Sequence, residues 1–237
     1  PVTVIRNTST GGVVSFGPKQ DFGPSEQVQS VAIGDLDGDG KPDLAVATFG
    51  SFTMQIYRNT SVPGTISFAA PVGFNGYYPK YAVIDDIDGD GKPDLAVACG
   101  SNRVIILRNL STPGTILFDT KIEFSTPDYS EGVSLGDIDG DGKPDLAVAN
   151  EQSGNMSLLR NISFPGSILF AARIDYPVGL KPVKLVMGDI DGDGKPDMAV
   201  ANSESDDVSV FRNTSSPGAI SFAAKTDFGT GLKPMSI

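Results

Sequence analysis

Short apolar runs recur along the chain and are separated by polar, turn-forming residues. A run such as Val31-Ala-Ile-Gly34 precedes an acidic stretch, and a second run such as Leu44-Ala-Val-Ala47 follows it. An alternating run at 54–59 ends in Arg-Asn, and after a Ser-x-Pro-Gly turn comes a shorter run at 66–68. The acidic stretches begin at residues 35, 86, 137 and 189, so this order returns after 51, 51 and 52 residues. Runs of this kind predict four short strands in each of four repeats.

We label the strands of one repeat A to D, with the acidic stretch between A and B. Four antiparallel strands in about 50 residues have the size of one propeller blade, and no segment shows a helical period with caps. The sequence therefore predicts an all-β propeller, a single domain over 1–237 or a fragment of one. A β-solenoid is the less favoured alternative, because its coils are usually shorter. The predicted blades lie at about 30–79, 80–130, 131–182 and 183–229.

The two ends of the chain read as parts of a further blade. Residues 2–7 match strand C, residues 13–16 match strand D, and residues 233–237 match strand A. We therefore expect a partial blade from 1–29 and 230–237 that lacks strand B and its acidic loop. This pattern predicts that the sequence is a piece of a longer array.

The acidic stretch reads Asp-x-Asp-Gly-Asp-Gly-x-x-Asp in every repeat, which predicts a loop wrapped around a hard cation. Carboxylates at positions 1, 3, 5 and 9 and the carbonyl oxygen at position 7 form an all-oxygen donor set, which suits Ca²⁺ better than Mg²⁺. Glycines at positions 4 and 6 permit the positive φ of such a tight loop. The predicted ligands of about four ions are Asp35, Asp37, Asp39, Lys41 and Asp43; Asp86, Asp88, Asp90, Lys92 and Asp94; Asp137, Asp139, Asp141, Lys143 and Asp145; and Asp189, Asp191, Asp193, Lys195 and Asp197.

Two other interpretations of the loop are possible. Its first six positions resemble an EF-hand, but no Glu stands at position 12 and the flanking segments are strands, so a helix-pair sensor is not expected. A set of solvated Asp-Gly turns is the plainer alternative, and four complete copies disfavour it. We expect the ion to fasten the A–B hairpin and stabilise the fold.

Together these residues resemble the FG-GAP/VCBS repeat of integrin-α-type β-propellers. The shared unit runs from the apolar residues of strand A through Gly-Asp-x-Asp-Gly-Asp-Gly-Lys-Pro-Asp to Ala-Val-Ala, and the second copy departs with Asp85 in place of Gly34. The resemblance implies a propeller, often seven-bladed, with Ca²⁺ in the A–B loops. It also implies a secreted or cell-surface protein with a role in adhesion, or an accessory module of an exported protein.

Composition narrows the possible functions. The net charge of −11 arises from the loops, which hold 16 of the 29 acidic residues; the other 13 face 18 basic ones. No basic run and no phosphate-binding glycine loop occurs, so nucleic acid is not an expected partner. No apolar run is long enough for membrane insertion. The absence of histidine excludes Ser-His-Asp and Cys-His catalysis, and the single cysteine, Cys99, excludes an internal disulfide.

A partner is expected on the face opposite the acidic loops, where the B–C and D–A connections differ between repeats. Tyrosines cluster in or beside the D–A connections, and Tyr77, Tyr78 and Tyr129 are the candidate ligand-binding residues for a protein or carbohydrate. The alternative is that they only pack loop ends. The repeated Arg-Asn pairs are interpreted as architecture, with each Asn a turn residue rather than a glycan acceptor.

Three functions follow from these patterns. The first is a non-catalytic, Ca²⁺-stabilised extracellular module for adhesion or ligand binding. The second is the accessory propeller of a larger secreted enzyme. The third, an enzyme using carboxylates at the channel mouth, is disfavoured because the acids belong to loops in every repeat.

Overall fold

The computed structural model describes residues 1–75 and 77–237, which form eighteen strands in five antiparallel sheets. The small sheet consists of β1 (Val2–Asn7) and β2 (Phe16–Phe22). Blade 1 consists of β3 (Val28–Gly34), β4 (Asp43–Thr48), β5 (Thr53–Tyr57) and β6 (Val72–Asn75). Blade 2 consists of β7 (Pro79–Asp85), β8 (Asp94–Cys99), β9 (Arg103–Leu107) and β10 (Ile122–Ser125). Blade 3 consists of β11 (Ser130–Gly136), β12 (Asp145–Asn150), β13 (Asn155–Leu159) and β14 (Ile174–Pro177). Blade 4 consists of β15 (Pro182–Gly188), β16 (Asp197–Asn202), β17 (Asp207–Phe211) and β18 (Thr226–Gly229).

Within the described residues, no helix is long and apolar enough to cross a membrane.

The strand order fixes which connections share a face. In blade 1, Gly34 pairs with Asp43 beside the acidic loop, and Val28 pairs with Thr48 at the other end of the strands. Because the strands alternate in direction, the A–B loops and C–D hairpins lie at one end of each blade. The B–C and D–A connections lie at the opposite end, as the sequence predicted.

The cores lie between blades rather than within them. Every residue of β4, β8, β12 and β16 is buried, because strand B lies between strands A and C of its own blade and packs against an adjacent sheet. One apolar cluster joins blades 1 and 2, a second joins blades 2 and 3, and a third joins blades 3 and 4. The small sheet packs on blade 1 through Val2 and Val4. The chain is thus a β-propeller with four complete blades and a partial one, which confirms the predicted fold class.

The fourth strand of each blade lies later in the chain than predicted. We expected strand D at residues 66–68, 116–118, 168–170 and 220–222, and that prediction is wrong. Phe68 instead forms an isolated bridge with Asn59 inside the C–D hairpin, and its ring packs on Phe22 at 5.0 Å between centroids. The observed fourth strands each start six residues further on, as the short strands β6, β10, β14 and β18.

The predicted strands at the chain ends are partly corrected. Residues 2–7 form β1, as expected for strand C, but its partner β2 begins only at Phe16. Residues 233–237, which match strand A in sequence, do not form a strand. A strand needs a neighbour to satisfy its backbone groups, and no described strand pairs with these residues.

The acidic loop of blade 4 is exposed at a position that is buried in the other three blades. The apolar residue at position 2 of the acidic loop is 1% exposed in Leu36, Ile87 and Ile138, each of which lies against the next blade. Ile190, at the same position in blade 4, is 60% exposed. Burial of this residue therefore depends on a following blade and not on its own loop.

Candidate functional site

The acidic loop closes around the carboxylate at its first position. Asp35 accepts hydrogen bonds from the backbone N–H groups of Gly38 (2.9 Å), Asp39 (3.1 Å) and Gly40 (2.8 Å). Gly38 and Gly40 have φ values of 73° and 85°, which a side chain would disfavour. The same three bonds recur at Asp86, Asp137 and Asp189. The four loops therefore share one backbone conformation, as their shared sequence predicts.

The aspartate at position 9 joins the loop to two strands. Asp43 is fully buried and accepts hydrogen bonds from the N–H of Leu36 (2.9 Å) and of Asn59 (2.7 Å). The equivalent aspartates, Asp94, Asp145 and Asp197, accept the same pair of bonds. This carboxylate thus ties the start of strand B to the loop and to the end of strand C.

Burial disfavours the charged form of these inner carboxylates. It raises the pKa of Asp43, raises the pKa of Asp94 to about 7 and raises the pKa of Asp145 to about 6. The two backbone N–H bonds oppose this effect, and nearby loop aspartates add to it. A cation bound among the carboxylates would favour the charged form.

Three carboxylates converge in every loop. In the first two loops, one oxygen each from positions 1, 3 and 5 lies within 4.8 Å of the others; in the last two loops, positions 1, 3 and 9 do so. The converging triads are Asp35, Asp37 and Asp39; Asp86, Asp88 and Asp90; Asp137, Asp139 and Asp145; and Asp189, Asp191 and Asp197. All donors are anionic oxygens, which fits a hard divalent cation and not a thiolate- or imidazole-seeking metal. The other predicted carboxylate ligands, Asp43, Asp94, Asp141 and Asp193, lie outside these triads.

The lysines at position 7 mostly direct their ammonium groups away from the carboxylates. The Nζ atoms donate to the carbonyl oxygens of a serine in the C–D hairpin in three blades, at 2.7 to 2.9 Å. These pairs are Lys92 with Ser111, Lys143 with Ser163, and Lys195 with Ser215. Lys41 instead pairs with Asp39 at 3.2 Å. The role of the four lysine carbonyl oxygens as ligands stays a prediction.

Arginine from strand C reaches the loop of its own blade. Arg108 donates from Nε to Asp88 Oδ2 (2.7 Å) and from Nη2 to Asp90 Oδ2 (2.8 Å). Arg160 lies 3.7 Å from an oxygen of Asp141 in the third loop. The architectural interpretation is confirmed for these two arginines, and Arg108 offsets part of the negative charge of the second loop.

The first three acidic loops are also bonded to the following blade. Asn109 Nδ2 of blade 2 donates to the carbonyl oxygen of Leu36 in the first loop and to that of Pro93 in its own loop, both at 2.8 Å. The N–H of Gly114 in the blade 2 hairpin donates to Asp37 Oδ2 at 2.8 Å. The next two junctions repeat these contacts through Asn161 and Gly166, and through Asn213 and Gly218. In the sequence, this role is indicated by an Asn that recurs at the same position of every repeat.

This arrangement also decides the role of the Asn-x-Ser sequences. The side chains of Asn59, Asn109, Asn161 and Asn213 are buried, and their Nδ2 atoms donate to backbone carbonyl oxygens. A glycan attached to Nδ2 would replace one of its two N–H donors, and in Asn109, Asn161 and Asn213 both donors are used in hydrogen bonds. The interpretation of these residues as structural is confirmed.

Replacing Asn109 by Ala should lower the free energy of unfolding by about 2–4 kcal/mol, because it leaves two buried carbonyl oxygens and the N–H of Ser111 without this partner. Asn7→Ala is the matched control, since Asn7 has the same repeat position but is exposed; it should cost under about 1 kcal/mol. Urea unfolding of both variants measures the difference. Equal losses would contradict a junction role for Asn109.

On the opposite face, three aromatic side chains form an exposed cluster. Phe52 and Tyr78 lie 4.0 Å apart between ring centroids, and Phe49 lies 5.8 Å from Phe52 and 6.3 Å from Tyr78. Phe49 is 41% exposed and Tyr78 is 44% exposed. We name Phe49, Phe52 and Tyr78 the aromatic cluster; it joins the B–C turn of blade 1 to the D–A connection that follows it.

The backbone of this cluster is strained. Phe52 has a φ of 54° and Tyr78 a φ of 60°, a region that aromatic residues rarely adopt. The residues equivalent to Phe52 in the other B–C turns are Asn102, Gly154 and Asp206, also with positive φ. Asn, Gly and Asp tolerate this conformation, whereas Phe does so at a cost. The chain therefore carries a conformationally unfavourable residue at this half-buried position.

The other predicted ligand-binding tyrosines have different surroundings. Tyr77 is exposed and lies beneath the guanidinium of Arg103 (4.5 Å) and the ammonium of Lys121 (3.8 Å). Tyr129 is half-buried, with Lys80 5.0 Å from its ring centre. The structure thus joins Tyr78 to the aromatic cluster and separates Tyr77 and Tyr129 from it.

Comparisons with known proteins agree with the repeat pattern. The family model described as FG-GAP-like repeat matches residues 1–46, 86–148, 137–200 and 189–237. The comparison with curated proteins gives no match.

Three similar solved structures share the fold at low sequence identity. BBS1N, in complex with ARL6DN, is 19% identical with a TM-score of 0.56, over 88% of this chain and 56% of that one. A functionally unknown protein from Desulfotomaculum acetoxidans DSM 771 is 20% identical with a TM-score of 0.65, over 98% and 64%. A protein from Bacteroides fragilis NCTC 9343, with a proposed 6-phosphogluconolactonase activity, is 15% identical with a TM-score of 0.65, over 99% and 66%.

This chain spans 56–66% of the length of those three structures. The likeness shows the propeller fold alone, because identities of 15–20% carry no shared chemistry. The family model, in contrast, matches most of the chain and covers each acidic loop at least in part. The chain therefore belongs to the FG-GAP-like repeat family.

Proposed function

We propose that this chain is a non-catalytic, Ca²⁺-stabilised β-propeller that binds a protein partner outside the cell. The observation that carries the proposal is the aromatic cluster, which is exposed, strained and placed at the opposite end of the strands from the acidic loops. The repeated loops account for the fold, whereas the cluster is a feature that the repeats do not share.

Calcium is proposed because of the donor sets. In the first loop the ion would be held by Asp35, Asp37, Asp39, Asp43 and the carbonyl oxygen of Lys41, and the other three loops would use the equivalent residues. The ion would supply positive charge that offsets the repulsion between carboxylates. Since position 3 accepts a bond from the next blade, an ordered loop would also support the junction between blades.

A binding role is favoured over catalysis. The acidic residues recur in every blade, and the sequence has no histidine. A catalytic centre needs a group of residues at one place, and identical loops on four blades do not provide one. The Bacteroides fragilis relative gives no support for an enzyme, because it shares only the fold.

A protein is favoured over a carbohydrate as the partner. Exposed Tyr and Phe side chains packed edge to face present a rounded apolar surface, and aromatic anchors of this kind dominate protein interfaces. BBS1N, which has a similar fold, was crystallised with a protein. An extracellular location would supply the Ca²⁺ that the loops need.

The test compares a variant of the aromatic cluster with a control variant at the opposite end of the blades. Phe52→Asn introduces the residue that blade 2 has at this position, so the relief of backbone strain, about 1 kcal/mol, should offset the lost ring contact. Combined with Tyr78→Ser, it should weaken partner binding by about 30-fold or more, the effect expected for an aromatic anchor. The control pair, Ile162→Ser and Leu169→Ser, removes exposed apolar residues at the C–D hairpin of blade 3.

The chain is immobilised on a surface and used to capture a partner from secreted and cell-surface proteins. Binding of the purified partner to each variant is then measured by titration. A partner lost by the cluster variant and kept by the control variant supports the proposal. Equal binding by both variants would overturn it, as would binding to a glycan array alone.

A further inference from the structure

A cavity of about 360 Å³ lies between blades 1 and 2, at the outer part of their junction. Its walls are apolar and consist of Met54, Phe74, Val97, Ile105 and Leu107. Asn75, Asp119 and Lys121 also line it and provide its polar groups. This volume falls in the range of about 300 to 1,000 Å³ that is usual for small-molecule sites.

The corresponding cleft between blades 2 and 3 contains a chain of polar side chains. Asn150 Nδ2 donates to Ser157 Oγ (2.8 Å), and Ser157 Oγ donates to Asp175 Oδ1 (2.6 Å). Arg173 bonds to Asp175 and also donates to the carbonyl oxygen of Ser125 across the cleft (2.7 Å). Asn150 and Ser157 are fully buried, so this chain is part of the junction.

Blade 4 repeats the chain at the next junction. Asn202 Nδ2 donates to Ser209 Oγ (2.9 Å), Ser209 Oγ donates to Asp227 Oδ1 (2.7 Å), and Lys225 contacts Asp227. The same residue types on the same strands therefore occupy two of the clefts between blades.

Blade 2 lacks this series of hydrogen-bonded side chains. Cys99 and Ile105 stand where blades 3 and 4 have Asn and Ser, and the side chain of Ile105 has no polar atom to continue the hydrogen bonds. Glu123, at the position of Asp175, pairs with Arg103 (2.6 Å) and Lys121 (3.0 Å). Lys121 therefore pairs with Glu123 of its own blade and lies over the ring of Tyr77, whereas Arg173 donates to a backbone carbonyl oxygen across its cleft.

The polar groups of the cavity suit a ligand with both charges. Asp119 uses Oδ1 to accept the N–H of Thr120 (2.7 Å), and its Oδ2 lies 3.9 Å from Arg108 Nη1, beyond hydrogen-bond distance. Lys121 has three N–H donors; its Nζ atom pairs with Glu123 and lies 3.8 Å from the Tyr77 ring centre, which leaves a third donor for a carboxylate. A matching ligand has an ammonium group for Asp119, a carboxylate for Lys121 and an apolar body for the cavity.

We propose that this cavity binds an apolar α-amino acid, with its side chain among Met54, Ile105 and Leu107 and its charged groups at Asp119 and Lys121. This site shares no residue with the acidic loops or the aromatic cluster, and Arg108 is the link between Asp119 and the second loop. Three junctions join complete blades, and this cavity lies at the one in which the chain of polar side chains is interrupted.

The test is isothermal titration calorimetry of the full chain with L-phenylalanine and L-leucine. We expect a dissociation constant on the order of 0.1 mM. Phenethylamine and 3-phenylpropionate, which each lack one of the two charges, should bind at least about tenfold more weakly, the usual loss when a hydrogen bond to a charged group is removed.

Two variants locate the site. Lys121→Met should weaken phenylalanine binding about tenfold, and Lys225→Met, the equivalent change in blade 4, should leave it unchanged. Cys99→Asn with Ile105→Ser introduces the polar residues of blades 3 and 4 and should abolish binding. Circular dichroism confirms that each variant is folded.

Several results would overturn the proposal. These are no heat of binding for either amino acid at millimolar concentration, or equal affinity for phenylalanine and the two singly charged probes. Equal losses in Lys121→Met and Lys225→Met would also overturn it, because binding would then not be at this cavity.

Discussion

Removing divalent cations with EDTA should lower the midpoint of thermal unfolding by about 10 °C or more relative to excess Ca²⁺. One site contributes about 2.7 kcal/mol when the free ion is at one hundred times its dissociation constant. In a chain of this size, each kcal/mol moves the midpoint by about 2–4 °C. Four loops with converging carboxylates should therefore produce a large shift, which differential scanning calorimetry measures.

Mg²⁺ serves as the control for ion type. It prefers a smaller, stricter octahedron, so at equal concentration it should restore less of the midpoint than Ca²⁺ does. A midpoint that is the same in EDTA and in Ca²⁺ would contradict Ca²⁺ stabilisation. The propeller fold and the aromatic cluster would stand without it.

Replacing Asp94 by Ala should lower the free energy of unfolding by about 3–5 kcal/mol, and it should do so in EDTA as well as in Ca²⁺. The change removes the acceptor for two buried N–H groups, those of Ile87 and Asn109. Asp94→Asn keeps one carbonyl oxygen and should lose less. Chemical unfolding in both buffers gives the values.

Asp85→Gly is the matched control for charge. Asp85 is exposed beside the same loop, and the other three repeats have glycine at this position. It removes one negative charge, as Asp94→Ala does, without touching a buried hydrogen bond, so stability should change by under about 1 kcal/mol. A loss for Asp94→Ala that vanishes in EDTA would mean that this carboxylate acts only as a metal ligand.

Much of the fold followed from the sequence because the repeat exposes its own boundaries. Strand B was identifiable from Leu-Ala-Val-Ala, which is apolar on both faces and is buried on both faces in the structure. The loop conformation was predictable since Gly38 and Gly40 stand where positive φ is required.

The outer strand was misplaced because an edge strand carries a weak apolar signal. β6 reads Val-Gly-Phe-Asn and packs on one side only, so its composition does not distinguish it from a loop. Ile66-Ser-Phe68 has the stronger alternation of apolar and polar residues, but it lies in a hairpin, and its Phe side chain packs into the core. Burial, rather than strand pairing, explains that pattern.

Contacts between blades could not be predicted from one repeat. The bond from Asn109 to Leu36 joins residues 73 positions apart, and it depends on how two blades are placed side by side. The aromatic cluster has the same origin, because Phe52 and Tyr78 belong to different connections. In both cases the sequence provided the residues, and the packing of neighbouring sheets determined their partners.

The bonds between blades have one further consequence. Each complete junction uses the same donors, an Asn side chain and a hairpin glycine N–H, and the same acceptors, a loop carbonyl and the aspartate at position 3. A blade that is duplicated or deleted as a whole therefore leaves matching surfaces on both of its neighbours. These junction bonds could therefore form again if the number of blades changed by gene duplication, whereas the residues that differ between blades are tied to one place in the array.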